Sequence, residues 1–356
     1  MEMLKVEGKR RKSRPEKLVL DGYGYYLGRG EGCFEIRTKN EKGKYVTVEK
    51  YPLYERSIIS EAILKDYALV STSALVSLAI WNIDTTITDR RGMPIAVLLN
   101  LNNYSHVKTR LCQYEAVHNK KALNIAKQII LSKYEGYKKI LEKYKLKQYN
   151  GNVEENLERI DTENYRSKIM GVESKFAKHY FSQVFSLFPK KIRPESRKTY
   201  KAPDGVNNVF NFGYLVLKWR IQRALINAKL EPYLGYLHST QFGKPSLVCD
   251  FQELYRYILD DFLIQRCVKL HKKDFIVRTE FWDKYRPNRR IFLRDIETNG
   301  LFEDLEELFD KGIIELPRIK IGKRQVFQTL INEEALLFAM YLRGKRSTWV
   351  PRLPPI

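Results

Sequence analysis

The stretch EPYLGYLHSTQFGKPSLVCDFQELYR, residues 231–256, holds the residues best suited to chemistry. His238 is followed, after a short Gly/Pro loop, by Asp250 and Glu253. The two carboxylates are three positions apart, so a helix running from Leu247 points both the same way, one turn apart. An imidazole and carboxylates around one point are the raw material of a divalent-metal site. A third carboxylate, Glu173, falls in an expected helix over 167–188. There Val172, Phe176, Tyr180, Val184 and Leu187 form an apolar stripe at helical spacing, and Glu173 shares that face. Burying an unpaired charge is costly, so Glu173 should be paired with Arg, protonated or bound to metal.

The charge balance points to the substrate of such a site. Lys plus Arg number 64 against 42 Asp plus Glu, a net charge of +22. A field of that sign favours nucleic acid or an anionic membrane surface. No stretch reaches the about 18 apolar residues needed to span a bilayer, so no membrane partner is expected. The basic N-terminus has no apolar core behind it, and no signal peptide is expected. Cys33, Cys112, Cys249 and Cys267 form no C-x-x-C pair and no zinc spacing, which fits ordinary thiols of a cytoplasmic protein. A phosphodiester is then the natural substrate for a bound metal.

The elements that must position these residues fall into two groups. KLVLD, GYYLGR, CFEIRTK, KYVTVEKY and RSIISEAIL read as short strands, with a short helix over Ser71 to Ala79 and two further strands around a turn at Asp89 to Gly92. From Thr109 the period becomes helical, and Lys120, Lys121, Lys127, Lys133, Lys138 and Lys139 are expected to form an exposed basic face for DNA. Further helices are expected over Val206 to Ala228, Leu247 to Lys269, Asn299 to Leu316 and Leu330 to Leu342, with a short basic strand or hairpin over Lys320 to Phe327. Between helices, Pro189 to Asp204 reads as a mobile basic loop suited to a DNA strand, with Lys190, Lys191 and Arg193 as candidate contacts. Asn207 caps the next helix or reaches the site, and Arg256 extends the basic set. The fold class is α+β. A basic arm at 1–16 precedes a small β-sandwich or sheet domain at 17–101, a linker at 102–110, a mostly helical catalytic domain at 111–342 and a basic, Pro-rich, extended tail at 343–356.

Several blocks, taken in order, resemble one known family. They are LDGYGYYLGRG, VSTSALVSLAIWNIDTTITDRRGMPIA, GVES around Glu173, FAKHYF with Tyr180, DGVNNVFNFGYLVL with Asp204 and Asn207, and the 231–256 stretch. The family is the CRISPR-associated integrase of spacer acquisition, and the resemblance covers roughly residues 17 to 270. It implies an N-terminal β domain and a helical catalytic domain. It implies that Glu173, His238 and Glu253 hold Mg²⁺ or Mn²⁺, with Asp250 as an acidic helper and Tyr180 near DNA. It further implies double-stranded DNA as substrate, both spacer donor and CRISPR repeat. The partners it implies are a homodimer and a small CRISPR-associated adaptation protein bridging two dimers. Glu253 departs from the Asp common in the family, and Lys178 stands where Arg is common. The expected activity is insertion of spacer DNA by 3′-hydroxyl transesterification. A structure-specific nuclease without integration and a non-catalytic basic scaffold are the competing readings.

Overall fold

The computed structural model describes residues 16–20, 23–52, 59–81, 83–89, 94–98, 100, 105–283, 286–319, 322 and 324–356. The cationic arm, the centre of the turn around Asp89 to Gly92 and the start of the linker lie outside the described residues. The chain divides into two compact units, residues 1–104 and 105–356.

The first unit contains β1 (Glu16–Leu20), β2 (Tyr25–Gly30), β3 (Cys33–Lys39), β4 (Tyr45–Pro52), β5 (Ile59–Lys65), β6 (Leu69–Val70), α1 (Thr72–Ile80), β7 (Asp84–Thr88) and β8 (Pro94–Leu98). They make two four-stranded sheets, ordered β4-β3-β2-β6 and β1-β5-β7-β8. β2, β3 and β4 are antiparallel, whereas β1, β5 and β7 run parallel. Leu27, Phe34 and Ile36 from the first sheet share one core with Leu18, Leu20, Ala62 and Leu64 from the second and with Ala74 and Leu78 of α1. The Ser71 hydroxyl accepts the Ala74 N–H at 3.2 Å, the cap that its sequence position implies.

The second unit contains α2 (Ser105–Val117), α3 (Lys120–Lys143), α4 (Val153–Glu158), α5 (Tyr165–Ser186), α6 (Gly205–Asn227), α7 (Ser246–Cys267), β9 (Phe275–Asp283), β10 (Arg286–Leu293), α8 (Asp295–Lys311), β11 (Ile313–Pro317), β12 (Arg324–Val326) and α9 (Phe327–Leu342). The helical stretch expected from Thr109 breaks at Asn119, whose side chain accepts the Lys121 N–H at 2.8 Å and restarts the helix as α3. The β9–β10 hairpin was not legible as such, because no Gly-containing turn punctuates it.

α3 is the central helix, packed against α5 and α7, while α6 covers another side of α7. Gly136 makes the closest approach possible: a Cβ there would lie 2.5 Å from the Tyr257 ring of α7. This central position breaks up the expected exposed basic face: Lys120 is exposed and Lys138 partly so, but three of the six lysines turn inward. Lys133 is buried, Lys127 donates to the Ile160 carbonyl at 2.7 Å, and Lys139 donates to the Pro354 carbonyl at 2.9 Å. These lysines satisfy acceptors inside the unit instead of presenting a surface to DNA.

The tail after α9 lacks regular structure, as its composition implied, but it is docked. Trp349 is buried, with its indole stacked on Phe251 of α7 at 5.9 Å. Among the described residues no helix is long and apolar enough to cross a membrane, and all four cysteines are free thiols.

Candidate active site

Two helices of the second unit and one loop deliver the candidate residues. α7 carries Asp250 and Glu253, both buried, on the same side of the helix. α5 carries Glu173, half-buried, and the loop leading into α7 carries His238.

Asp250 organises that loop. Its carboxylate accepts three successive backbone N–H groups, from Tyr236 at 2.6 Å, Leu237 at 3.0 Å and His238 at 2.9 Å. It also accepts the Nδ1–H of His238 at 2.7 Å. A carboxylate oxygen accepts, so the hydrogen of this bond sits on Nδ1, and in the neutral ring that leaves the lone pair on Nε2. The loop bends tightly enough here to require Gly235, where a Cβ would lie 2.7 Å from the His238 carbonyl oxygen. Asp250 is therefore a positioning residue with its acceptor capacity already used.

The same loop is clamped from two other helices. Gln113 of α2 is buried, donates to the Glu231 carbonyl at 2.9 Å and accepts the Glu231 N–H at 2.8 Å. At the start of α5, Tyr165 and Arg166 both donate to the Tyr236 carbonyl, at 2.7 and 3.0 Å. Sequence reasoning missed all three, because a polar side chain serving a distant backbone leaves no local signature.

Glu173 and Glu253 meet through a residue read from sequence as exposed. The buried ammonium of Lys133 contacts Glu173 Oε1 and lies 2.7 Å from Glu253 Oε2. Arg256 takes the other oxygen of Glu253 at 3.1 Å. The expectation for Glu173 was Arg, a proton or a metal; its partner is a lysine. One cue was available: Lys133 shares a helical face with the apolar Ile129, Ile130 and Tyr137. Burial pushes the Glu253 carboxyl up, but Arg256, Lys133 and the nearby His238 outweigh it and hold it down at about 2. Glu253 is thus ionised at neutral pH.

Among the described residues, no three His, Cys, Asp or Glu side chains close around one point as a ready-made ligand shell. The donor set nonetheless fits a hard divalent cation. Two carboxylates already share one cationic atom, and the imidazole is fixed through Nδ1 by a carboxylate, the usual support of a metal-binding histidine. Glu253 Oε2, although close to Lys133, receives no well-directed hydrogen bond.

The expected DNA-contacting residues divide. Lys190 and Lys191 are exposed just beyond the end of α5. Arg193 instead folds back and caps α5, donating to the Ser186 carbonyl at 2.7 Å and the Phe188 carbonyl at 2.9 Å. Tyr180 is buried, stacked on Tyr137 at 3.5 Å, with its hydroxyl donating to Asp260 at 2.8 Å, so it has no surface for DNA. Asn207 is buried too. It accepts from Arg197 and from the Lys198 N–H, each at 3.0 Å, and donates to the Ser196 carbonyl at 2.9 Å. The cap of α6 is Asp204, which accepts the Asn207 N–H at 2.8 Å. The 189–204 loop is irregular, as expected, but Asn207 pins it, contrary to the mobility its composition implied. Arg256 is committed to Glu253, and its guanidinium lies 4.8 Å over the Tyr214 ring.

With the geometry in hand, similarity adds an independent line. A family model described as "CRISPR associated protein Cas1" matches residues 18–297. A relative from Francisella tularensis subsp. novicida, named "CRISPR-associated endonuclease Cas1 1", is 30% identical over 271 residues, 73% of this chain and 81% of the relative. A solved structure described as "Casposase bound to integration product" superposes with a TM-score of 0.66 at 22% identity, covering 94% of this chain and 97% of the other. Another, "Partial Cas6-RT-Cas1--Cas2 complex", gives a TM-score of 0.66 at 17% identity, covering 96% of this chain and 100% of the other. At these identities the two structures share the fold.

Proposed function

The chain belongs to the CRISPR-associated Cas1 family, and from that premise we propose that it is a divalent-metal-dependent DNA endonuclease and integrase. In this reading it inserts spacer DNA into a CRISPR array by direct attack of a donor 3′-hydroxyl on a phosphodiester. The observation that carries the reading is the convergence of Glu173 and Glu253 on one cationic position. The name of the Francisella relative and the casposase integration complex support it. The Cas1–Cas2 assembly supports a Cas protein as partner; in this reading the partner is a small adaptation protein that bridges two homodimers of this chain.

Glu173, Glu253 and the Nε2 of His238 are the groups that would hold the ion. Bound Mg²⁺ or Mn²⁺ supplies charge screening at the phosphate and lowers the pKa of an attacking oxygen. Asp250 keeps the His238 proton on Nδ1 and aims the ring. Arg256 fixes the rotamer of Glu253 and stabilises its charge. Lys190 and Lys191, exposed at the end of α5, are the cations that would meet the DNA backbone.

A non-catalytic scaffold is the second reading, favoured by the Lys133 ammonium, which already bridges the carboxylate pair. Strand transfer decides among the readings. A short duplex incubated with supercoiled plasmid and Mn²⁺ should yield joined product that EDTA abolishes. His238→Ala should lose at least ~100-fold of this activity, as removal of a metal ligand does, while keeping salt-sensitive DNA binding. Nicking without joining would leave a plain nuclease. No reaction with Mg²⁺ or Mn²⁺ would leave the scaffold.

A further inference from the structure

The catalytic reading assigns no role to Lys133, although it is the one buried lysine among the described residues. α3, α5 and α7 each contribute one residue to a three-membered cluster, Lys133, Glu173 and Glu253. The lysine side chain is 3% exposed. A buried lysine needs compensation for lost hydration, and here two carboxylates supply it. Those are the two carboxylates that a divalent ion would need.

Resting on the proposed metal site, we propose that Lys133 is its resident counter-cation. In the metal-free protein the ammonium holds Glu173 and Glu253 together, and a divalent ion must displace it. Lys133 is thus a positioning residue that sets the threshold for metal occupancy.

Three features carry this. The Glu173 and Glu253 carboxylates come from different helices and crowd one cation, and Arg256 engages Glu253 but not Glu173, so the shared ammonium is what joins the two carboxylates electrostatically. The contact with Glu253 Oε2 is close at 2.7 Å, yet that oxygen receives no well-directed hydrogen bond, which marks charge pairing that another cation can replace. The displaced ammonium also has somewhere to go. Its Nζ lies 5.5 Å from the centroid of the Tyr137 ring, which is itself braced against Tyr180. An aromatic face retains a cation without occupying the carboxylates.

Calorimetric titration of Mn²⁺ alone into the metal-free full-length protein tests this without any turnover. Lys133→Met and Lys133→Gln should bind Mn²⁺ about tenfold tighter than the unmodified protein, the scale expected when one like charge leaves a buried site. Lys133→Arg, which keeps the charge, should bind as the unmodified protein does. Unchanged or weaker binding in both neutral variants overturns the proposal. If the unmodified protein binds no Mn²⁺ but a neutral variant does, the counter-cation role stands. If none of them binds, the metal reading and this inference fall together, whereas failure of the inference alone leaves wild-type binding intact. Should the neutral variants fold only in Mn²⁺, the ion has taken over the lysine's task, as proposed; variants unfolded with and without Mn²⁺ would show a core lysine without a metal-linked role.

Discussion

The Nδ1–H of His238 is bonded to the Asp250 carboxylate at 2.7 Å, and the same carboxylate caps the backbone N–H groups of Tyr236, Leu237 and His238. One side chain therefore fixes the tautomer of the imidazole and the path of the loop that carries it. The sequence pairs Asp250 with Glu253 by spacing, yet the two do different work. Glu253 meets the cations, and Asp250 meets only N–H donors.

This division makes Asp250→Asn informative. The amide keeps the size but loses the charge and half of the acceptor capacity, so at least one of four donors is left without an acceptor. Each such buried loss costs about 1–3 kcal/mol. The variant should melt lower, and its strand transfer should fall about 10–100-fold, as expected when the carboxylate supporting a metal-binding histidine is removed. Mn²⁺ titration should show weaker but measurable binding, whereas Glu253→Gln should show almost none. Equal Mn²⁺ affinity in Asp250→Asn and the unmodified protein would remove Asp250 from the positioning role.

A second buried carboxyl predicts a pH effect of known sign. Asp260 is fully buried and accepts hydrogen bonds from Tyr180 at 2.8 Å and Tyr214 at 2.5 Å. Burial pushes its carboxyl up to about 6, against the opposing pull of these hydroxyls and of Arg256 and Arg197. The folded form thus holds a proton that the unfolded chain releases near pH 4, so stability falls as pH rises from about 4 through about 6. A rise of about two pKa units corresponds to about 3 kcal/mol. Glu253, held down at about 2, acts with the opposite sign and loses its contribution as pH falls below about 4, but it is common to the unmodified protein and Asp260→Asn and cancels in their difference. Denaturant melts of the unmodified protein and Asp260→Asn at pH 4 and pH 7 should show the difference in stability shifting against the unmodified protein at pH 7. A pH-independent difference would mean that Asp260 keeps an ordinary pKa.

What was legible in the sequence follows the range of the interactions involved. The apolar stripe of Phe176, Tyr180 and Val184 and the short helix expected over Ser71 to Ala79 are encoded within a few residues, and both appear where expected. The division into a β unit and a helical unit follows from a change of hydrophobic period, again a local property. The acidic residues were legible because Asp250 and Glu253 share one helix. Their partners were not. Lys133 lies 120 positions before Glu253 in the chain, and only the packing of α3 against α7 makes it a buried ion rather than a solvated one. Tyr180 and Asn207 failed as DNA contacts for the same reason: their polar atoms serve Asp260 and the 196–198 backbone, acceptors and donors that no local pattern announces. A lysine-rich helix likewise carries no mark of how many of its charges will find internal carbonyls.

The tail shows how a distant segment bears on the site. Trp349 donates its indole N–H to Glu334 at 2.8 Å and packs on Phe338 and Phe251, and Phe251 adjoins Asp250 in α7. Arg352 reaches the same Glu334 at 3.1 Å, and the Pro354 carbonyl accepts from Tyr257 of α7 at 2.7 Å and from Lys139 of α3 at 2.9 Å. The tail thus ties together α3, α7 and α9, the first two of which carry Lys133 and Glu253. Replacing a buried tryptophan by alanine costs about 3–5 kcal/mol, and here it also strips a donor from a buried carboxylate. Trp349→Ala should therefore lower the melting temperature. It should also raise amide exchange in residues 247–254 of α7 more than in α1, which belongs to the other unit. Strand transfer should fall through looser placement of Asp250 and Glu253, and Mn²⁺ should restore part of the lost protection. Protection of α7 unchanged in Trp349→Ala would show that the tail braces only α9.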